Sequence, residues 1–173
     1  MSIHFEVFSD GGSINNGYKD PNKEQYCSSA AVVTLNEQVI SKGGSSKVGD
    51  GATNSYGEVY GALSALKLVE RKINQIGNIP KPYNVTLYSD SAYVINSASK
   101  YISGWRKRDW KNKEGKDVAQ KELWQVMDKR FINNPDWNID FVHVKGHTGN
   151  QDFHSRMNDL CDKICGEQLD KYR

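Results

Sequence analysis

The sequence lacks several features that would indicate a membrane or secreted protein. No stretch of its 173 residues approaches the roughly 20 consecutive apolar residues that a membrane-spanning helix needs. The amino terminus, MSIHFEVF, has no positively charged region followed by a long apolar run, which argues against a secretory leader. Internal repeats and linker-like segments are also absent. We therefore expect one cytoplasmic domain over residues 1–173, because domains commonly contain roughly 100–200 residues.

Cysteine is scarce, and the three cysteines that are present form no pattern of pairs. An odd number without framework spacing favours reduced thiols in a cytosol-like compartment over a disulfide-stabilised fold. Cys161 and Cys165 lie one helical turn apart. Without a second pair of cysteines, we interpret them as packing residues and not as metal ligands.

The net charge is small as well, at +2, so the chain as a whole is neither strongly basic nor strongly acidic. Between Trp105 and Lys116, however, WRKRDWKNKEGK carries six Lys or Arg residues against two acids, which is +4 locally and leaves −2 elsewhere. Clustered cations with interleaved tryptophans predict a nucleic-acid contact, because cations bind phosphates and aromatic faces stack on sugars or bases. A solvated charged loop is the alternative.

Two predicted strands run into carboxylates. Alternating apolar residues predict a strand that starts at Ile3 and reaches Asp10, which two glycines follow. A second apolar strand, over residues 83–88, precedes Asp90. Since sites in α/β sheets form beyond strand ends, both acids are candidate functional groups, and Gly11 leaves room for backbone or phosphate to come close. A turn at the first acid and a helix cap at the second are the alternatives.

Two further acids lie on predicted helices. Thr53 begins a helix whose apolar residues recur near a spacing of 3.6 and which ends before Gly77, and Glu58 lies on its face of small residues. A last helix, over about residues 154–169, carries Asp162. An acid on a small or apolar face indicates a function, although a glutamate in the capping turn of a helix is also common without one.

The order of the elements predicts an α/β fold with a mixed five-stranded sheet flanked by helices, in which three antiparallel strands come first and parallel strands follow. The predicted strands cover residues 3–10, 26–35, 38–43, 83–88 and 140–144. A helix over about residues 118–131 follows the basic segment, and loops are expected at residues 14–25 and 43–51.

The four acids Asp10, Glu58, Asp90 and Asp162 would repel one another if they converged, because no arginine partner is evident. Mg²⁺ is the natural ion to offset that repulsion, since it takes carboxylate and phosphate oxygens. Two ions about 3.5–4 Å apart would clamp the attacking and leaving oxygens of a phosphodiester. The sequence thus predicts a metal-dependent site that acts on nucleic acid.

Five ordered motifs of this chain resemble those of type 1 ribonuclease H. They are FSDGGS at residues 8–13, TNSYGE at 53–58, YSDS at 88–91, VKGHTG at 144–149 and NDLCD at 158–162. The basic segment, followed by Leu123 and Trp124, is similar to the basic protrusion of that family and the helix after it. The resemblance covers nearly the whole chain, and we call residues 105–118 the basic protrusion.

This resemblance implies a ribonuclease H-like fold and cleavage of the RNA strand of an RNA–DNA hybrid, with 3′-hydroxyl and 5′-phosphate ends. It implies two Mg²⁺ ions during catalysis, with Mn²⁺ as a substitute. The implied metal ligands are Asp10, Glu58, Asp90 and Asp162. Asp159 is not assigned, because its spacing from His147 does not match. His147, on a glycine-flanked loop, is implied to shuttle a proton or to assist product exit, and a plain surface histidine is the alternative.

Contacts with the hybrid are implied as well. Asn54 and Gln120 are candidates to contact 2′-hydroxyl or phosphate groups, and Thr53 to contact a phosphate of the DNA strand. The other candidate substrate contacts are Gly11, Tyr101, Trp105, Arg106, Lys107, Arg108, Trp110 and Lys111. We expect a monomer that needs no protein partner and does not associate with membranes.

The chain departs from the family pattern in three places, and two other functions stay open. The turn after the first motif is longer, and Tyr101 and Gln120 stand where members with this protrusion often have Trp and Asn. Another metal nuclease of the same superfamily, such as an exonuclease or resolvase, would share the acids but not the protrusion. A non-catalytic hybrid-binding module would keep the protrusion and lose an acid, which the four acids present here disfavour.

Overall fold

A computed structural model describes residues 3–15, 24–146 and 151–173. Five strands form one mixed sheet in the order β3-β2-β1-β4-β5. Neighbouring strands from β3 to β1 are antiparallel, whereas β4 is parallel to both β1 and β5. The strands are β1 (His4–Ile14), β2 (Tyr26–Leu35), β3 (Gln38–Val48), β4 (Tyr83–Ser89) and β5 (Trp137–His143). The predicted fold class is confirmed.

Helices cover both faces of the sheet. The helices are α1 (Asn54–Ile76), α2 (Ala92–Asn96), α3 (Ile102–Lys107), α4 (Lys121–Met127) and α5 (Phe153–Asp170). Single π-helical turns follow α2, over Ser97–Tyr101, and α4, over Asp128–Ile132. Within the described ranges, no helix is both long enough and apolar enough to span a bilayer.

Alternate residues of β1 enter two separate cores, which explains why the sheet is covered on both faces. Phe5 and Val7 pack into the larger core with apolar residues of α1, α2 and α4. Phe8 points to the opposite face, where it packs with Phe153 and Cys161 of α5. A strand buried on both faces is held rigidly, so a polar side chain farther along β1 is presented in a fixed position.

Helix α1 begins and ends where the sequence predicts. The Thr53 side chain caps the helix by accepting a hydrogen bond from the backbone N–H of Tyr56, at 3.1 Å. Gly77 follows the last helical residue with a φ of 77°, a left-handed value that glycine adopts without a steric penalty.

Two predicted strand ends are wrong. β1 does not stop at Asp10, because antiparallel pairing with β2 continues from Asp10 opposite Ala30 to Ile14 opposite Tyr26. Only its parallel pairing with β4 stops early, at Phe8 opposite Tyr88, and this leaves the next residues of β1 beside an open edge. β3 likewise continues past Gly43 to Val48.

Two other boundaries shift by three residues. The helix expected from residue 118 begins at Lys121, because Val118 is buried in the preceding loop and Gln120 has left-handed backbone angles. The last strand begins at Trp137, three residues before its predicted start, and Trp137 is buried against Phe131. Residues 16–23 of the predicted loop after β1 lie outside the described residues.

Candidate active site

The four predicted acids act on one another electrostatically beside the end of the β1–β4 pairing. Asp10 lies on β1 and is only 6% exposed. Burial, followed by the charge of Asp90, raises the pKa of Asp10 to about 8, and the charges of Asp162 and Glu58 add to the increase. The backbone N–H of Gly11 opposes this effect by donating a 2.9 Å hydrogen bond to Asp10 Oδ1. The structure therefore brings together acids from β1, α1, α5 and the end of β4.

Glycines bring α1 against the sheet and so carry Glu58 to Asp10. A β-carbon at Gly11 would lie 2.3 Å from the backbone nitrogen of Glu58, and one at Gly57 would lie 2.3 Å from the carbonyl oxygen of Ser28. One at Gly61 would lie 2.6 Å from the carbonyl oxygen of Asp10. Any side chain at these positions would push the helix away.

Sequence reasoning missed the contribution of α1 to this contact. The spacing Gly57-x-x-x-Gly61 places both glycines on one helix face, which is a signal that could have revealed the close approach. Gly11 was expected to leave room for backbone or phosphate, and the room beside its α-carbon is taken by the α1 backbone. Direct contact between Gly11 and substrate stays a prediction.

Asp90 does not cap the helix that follows it, so that alternative is wrong. The cap of α2 is Ser91, whose side chain accepts a hydrogen bond from the backbone N–H of Val94 at 3.2 Å. Burial raises the pKa of Glu58, and the nearby Ser91 side chain offsets only part of that increase. The carboxylate of Asp90 is thus left for another role.

The residues that precede His147 in the chain pack against Asp90. His143, at the end of β5, donates from Nε2 to the carbonyl oxygen of Asp90 at 3.1 Å. A β-carbon at Gly146 would lie 2.9 Å from Asp90 Oδ2, so the backbone passes directly over this carboxylate. His147 itself lies outside the described residues, and its assignment stays a prediction.

Helix α5 contributes Asp162, which is exposed on the helix surface. Among the described charges that raise the pKa of Asp10, Asp162 is present and Asp159 is not. The two acids lie three residues apart and so are neighbours on the helix surface, which means that their positions on the helix alone do not separate them. The choice of Asp162 over Asp159 stays a prediction, which the action of the Asp162 charge on Asp10 supports.

The donor chemistry of this site suits a hard divalent cation. In the described part of the chain, every charge that shifts the pKa of Asp10 belongs to another carboxylate. Oxygen donors with uncompensated negative charge are what Mg²⁺ requires. No group of three or more His, Cys, Asp or Glu side chains in the described ranges is already arranged to hold an ion. The residues fit the ion chemically, because their carboxylate oxygens are hard donors.

Three of the candidate substrate contacts lie around the same site. Thr53 and Asn54 are at the start of α1, one turn before Glu58. Gln120 immediately precedes α4, and its Oε1 accepts a hydrogen bond from the hydroxyl of Tyr93 at 2.6 Å. The charge of Glu58 contributes to the raised pKa of Tyr93, after the larger effect of burial. Tyr93, which the sequence pattern did not single out, therefore links Gln120 to the acids.

The basic protrusion joins the body of the protein through aromatic residues. Trp105 packs edge-on against the buried Trp124, with ring centroids 5.8 Å apart, and its other neighbour Tyr101 is 52% exposed. A surface depression of about 350 Å³ lies here, lined by Lys100, Tyr101, Ser103, Gly104, Trp105, Arg108, Asn112 and Lys113. Trp110 is half-buried and also packs against the larger core.

The predicted cations of the protrusion differ in what they contact. Arg106 forms a two-pronged ion pair with the buried Asp128, in which Nε donates to Oδ2 at 2.8 Å. Lys111 pairs with the exposed Asp117 at 2.5 Å. Lys107 and Arg108 are exposed. Sequence reasoning missed Asp128, because only the fold brings it to Arg106.

Comparison with known proteins identifies relatives of this chain. A family model described as RNase H matches residues 3–170. Ribonuclease HI of Vibrio parahaemolyticus is 30% identical over 164 residues, which are 95% of this chain and 88% of that protein.

Solved structures share the fold. The crystal structure of LC11-RNase H1 in complex with RNA/DNA hybrid superposes with a TM-score of 0.59 and 15% identity, over 97% of this chain and 98% of the other. Prototype foamy virus protease-reverse transcriptase gives a TM-score of 0.69 and 22% identity over 96% of this chain. This chain spans only 21% of the length of that viral chain. At these identities the two likenesses show the fold alone.

Proposed function

Because the chain belongs to the ribonuclease H family, whose members are endonucleases that cut the RNA of RNA–DNA hybrids, we propose that it cuts by two-metal-ion catalysis and leaves 3′-hydroxyl and 5′-phosphate ends. The observation that carries this proposal is the convergence of three acidic charges on the buried Asp10. Such a site is electrostatically unfavourable by itself and becomes favourable when cations enter.

Asp10, Glu58, Asp90 and Asp162 would hold the ions. When bound, two Mg²⁺ ions, or Mn²⁺ in their place, would activate the attacking water and stabilise the charge on the departing 3′ oxygen. Asp10, whose pKa is raised to about 8 in the protein alone, would hold an ion in its ionised form. His147 would carry a proton to or from the reacting oxygens or assist the departure of product.

The hybrid would lie between the acids and the basic protrusion. Asn54 and Gln120 would contact 2′-hydroxyl groups of the RNA strand, and Thr53 a phosphate of the DNA strand. Trp105 and Tyr101 would pack against a deoxyribose, where a 2′-hydroxyl would intrude. The two surfaces together would exclude both double-stranded DNA and double-stranded RNA.

The enzyme would act as a cytoplasmic monomer without a protein partner. The three free cysteines suit a reducing compartment. Size-exclusion chromatography with light scattering tests the monomer, and a stable dimer at micromolar concentration would contradict it.

The test of the proposed function labels each strand of a hybrid in turn. With Mg²⁺ we expect cleavage of the labelled RNA, an intact DNA strand, and no cleavage in EDTA. The 5′ ends of the products should accept phosphate from a kinase only after dephosphorylation. Similar rates on hybrid, duplex DNA and duplex RNA would instead support a broader metal nuclease.

A further inference from the structure

A second cleft lies beside α1, on the side of the helix that faces away from the acidic site. It is enclosed by the start of β2, the end of β3 and the first two turns of α1, and its volume is about 260 Å³. In the described part of the chain, no acidic residue lines it. Its lining includes Cys27, Ser29, Ser45, Lys47, Tyr56 and Tyr60.

The geometry of α1 places this cleft apart from the acids. Tyr56 and Tyr60 lie one turn apart on the same side of the helix. Glu58, midway between them, is rotated by about 200° from each and therefore points to the other side. The sheet order agrees, because the cleft lies over β2 and β3 whereas the acidic site lies where β1 pairs with β4. The body of α1 thus separates the cleft from the acids.

The cleft contains a cation without an acidic partner among the described residues. Lys47 Nζ lies over the face of the Tyr56 ring, 5.2 Å from its centre. None of the ion pairs between described residues includes Lys47. An ammonium group in this position attracts an anionic ligand, and no carboxylate of the described lining competes for it.

Two serine hydroxyls add a hydrogen-bond donor. Ser29 Oγ and Ser45 Oγ lie 2.6 Å apart, so one hydroxyl donates to the other. This bond uses one of their two protons, and neither hydroxyl has a second described partner, so the remaining proton is available to a ligand. Cys27 lies beside them, and burial raises the pKa of its thiol, which adds no negative charge. One positive charge and neutral donors suit a phosphate group.

The wall that α1 contributes is aromatic. The Tyr56 and Tyr60 rings are stacked, with centroids 6.0 Å apart and 16° between their planes. A nucleobase packs against such rings whatever its identity, because every base has a π face. The volume of about 260 Å³ is slightly below the roughly 300–1,000 Å³ of pockets for drug-sized ligands, so the ligand must be small.

We propose that this cleft binds a mononucleotide, with the phosphate at Lys47 and the serine pair and with the base against the two tyrosines. The cation and the nearer ring are close enough for one small molecule to reach both. Inorganic phosphate would leave the aromatic wall uncovered, and an uncharged nucleoside would leave Lys47 without a partner. Binding at this cleft is independent of whether the chain cuts a hybrid.

The test uses adenosine 5′-monophosphate (AMP) as the probe, and isothermal titration calorimetry measures its Kd. EDTA is present throughout, so that no metal ion at the acids can bridge to the phosphate. We expect one saturable site. Inorganic phosphate and adenosine should each bind at least about 10-fold more weakly, since each lacks one half of the contacts. An absence of saturable AMP binding up to about 10 mM would overturn the proposal.

Protein variants locate the site. Lys47→Gln should weaken AMP binding by at least about 10-fold, the effect of losing one hydrogen bond from a charged group. Lys42→Gln is the matched control, because Lys42 is exposed on the same strand and does not line the cleft, and it should change Kd by less than about 2-fold. Tyr60→Leu should weaken binding by at least about 5-fold, because the base loses a stacking surface.

Equal losses in the Lys47→Gln and Lys42→Gln proteins would show attraction by net charge alone and would overturn the proposal. An unchanged Kd in the Lys47→Gln protein would do the same. Urea unfolding checks that each variant is folded, and Lys47→Gln alone decides should Tyr60→Leu fail to fold.

Competition with nucleic acid distinguishes a free nucleotide from a nucleic-acid strand as the occupant. Hybrid is added to saturation in EDTA at about 0.15 M salt, which screens its charge beyond about 8 Å. We expect the Kd of AMP to change by less than about 2-fold, because α1 lies between the cleft and the acids. Displacement of AMP by the hybrid would assign the cleft to the nucleic-acid surface and would overturn the proposal of a separate site.

Discussion

The acidic site and the basic protrusion are built in opposite ways. The four acids come from distant parts of the chain, yet the fold brings them so close that three of them raise the pKa of the fourth. The cations of the protrusion lie within twelve consecutive residues, yet the fold separates them. Arg106 turns inward to Asp128, whereas Lys107 and Arg108 stay exposed. Proximity in the sequence is therefore a poor guide to shared function in this protein.

The two regions also differ in electrostatic balance. The described charges that act on Asp10 are all negative. Their mutual repulsion therefore destabilises the folded protein most when no metal ion is bound. The protrusion contains ion pairs, at Arg106 with Asp128 and at Lys111 with Asp117, which offset part of its charge. Four sets of variants test this contrast, in order of decreasing expected effect.

Replacing Asp10 by Asn should abolish cleavage almost completely while the protein stays folded and still binds hybrid. The carboxylate is the buried centre of the proposed metal site, and the amide cannot supply its charge. Steady-state cleavage of labelled hybrid in Mg²⁺ measures the effect. Asp159→Asn is the matched control and should retain activity. Near-normal Mg²⁺-dependent turnover of the Asp10→Asn protein would remove Asp10 from the mechanism.

The same variant has a second readout in stability. A carboxyl whose pKa rises from 3.8 to about 8 on folding destabilises the metal-free protein progressively as the pH increases between these values. In EDTA, Asp10→Asn should therefore be more stable than the unchanged protein at pH 8, and the difference should shrink at pH 5. Urea unfolding at the two pH values measures this difference.

Gly57→Ala should destabilise the protein by about 3 kcal/mol and lower its activity, because the new methyl group would lie against the β2 backbone and displace α1 with Glu58. Gly166→Ala is the control within a helix, since a β-carbon there would meet nothing within 4 Å, and it should stabilise by about 0.5–1 kcal/mol. Urea denaturation compares the two. Equal stabilities would show that α1 can shift without cost.

Arg106→Ala should destabilise the protein by about 2 kcal/mol, since it leaves the buried Asp128 without its ion-pair partner. The value is kept below that of a fully buried pair because the Arg106 side chain is 35% exposed. Arg108→Ala, two residues along the chain, should change stability by less than about 0.5 kcal/mol. If the two variants have the same free energy of unfolding, the ion pair of Arg106 with Asp128 does not stabilise the fold.

The double variant Lys107→Ala with Arg108→Ala should raise KM while kcat changes little, because these cations would bind phosphates equally in the ground and transition states. The slope of log Kd against log salt should fall in magnitude by about 1.5, as expected for two phosphate contacts. Lys67→Ala with Arg71→Ala, on the exposed side of α1, removes the same charge elsewhere and should leave the slope unchanged. An unaltered slope in the first pair would place the protrusion away from the hybrid.

Much of the fold could be predicted because its signals are local. The Thr53 cap, the end of α1 before Gly77 and the tight turn at Asn36 and Glu37 each depend on a few adjacent residues. The continuation of β1 beyond Asp10 could not be predicted in this way. It depends on pairing with β2 and overrides the turn tendency of Asp-Gly.

The sequence by itself determined the order of the elements and which residues are candidates for the chemistry, because motif identity and the periodicity of apolar residues are written in single stretches of chain. Only the tertiary structure decided how those residues act on one another. The close contact of α1 with β1, the pairing of Arg106 with Asp128, and the hydrogen bond of Tyr93 with Gln120 all join distant segments. Their energies depend on burial and on distances of a few ångströms, which arise only when the chain is packed.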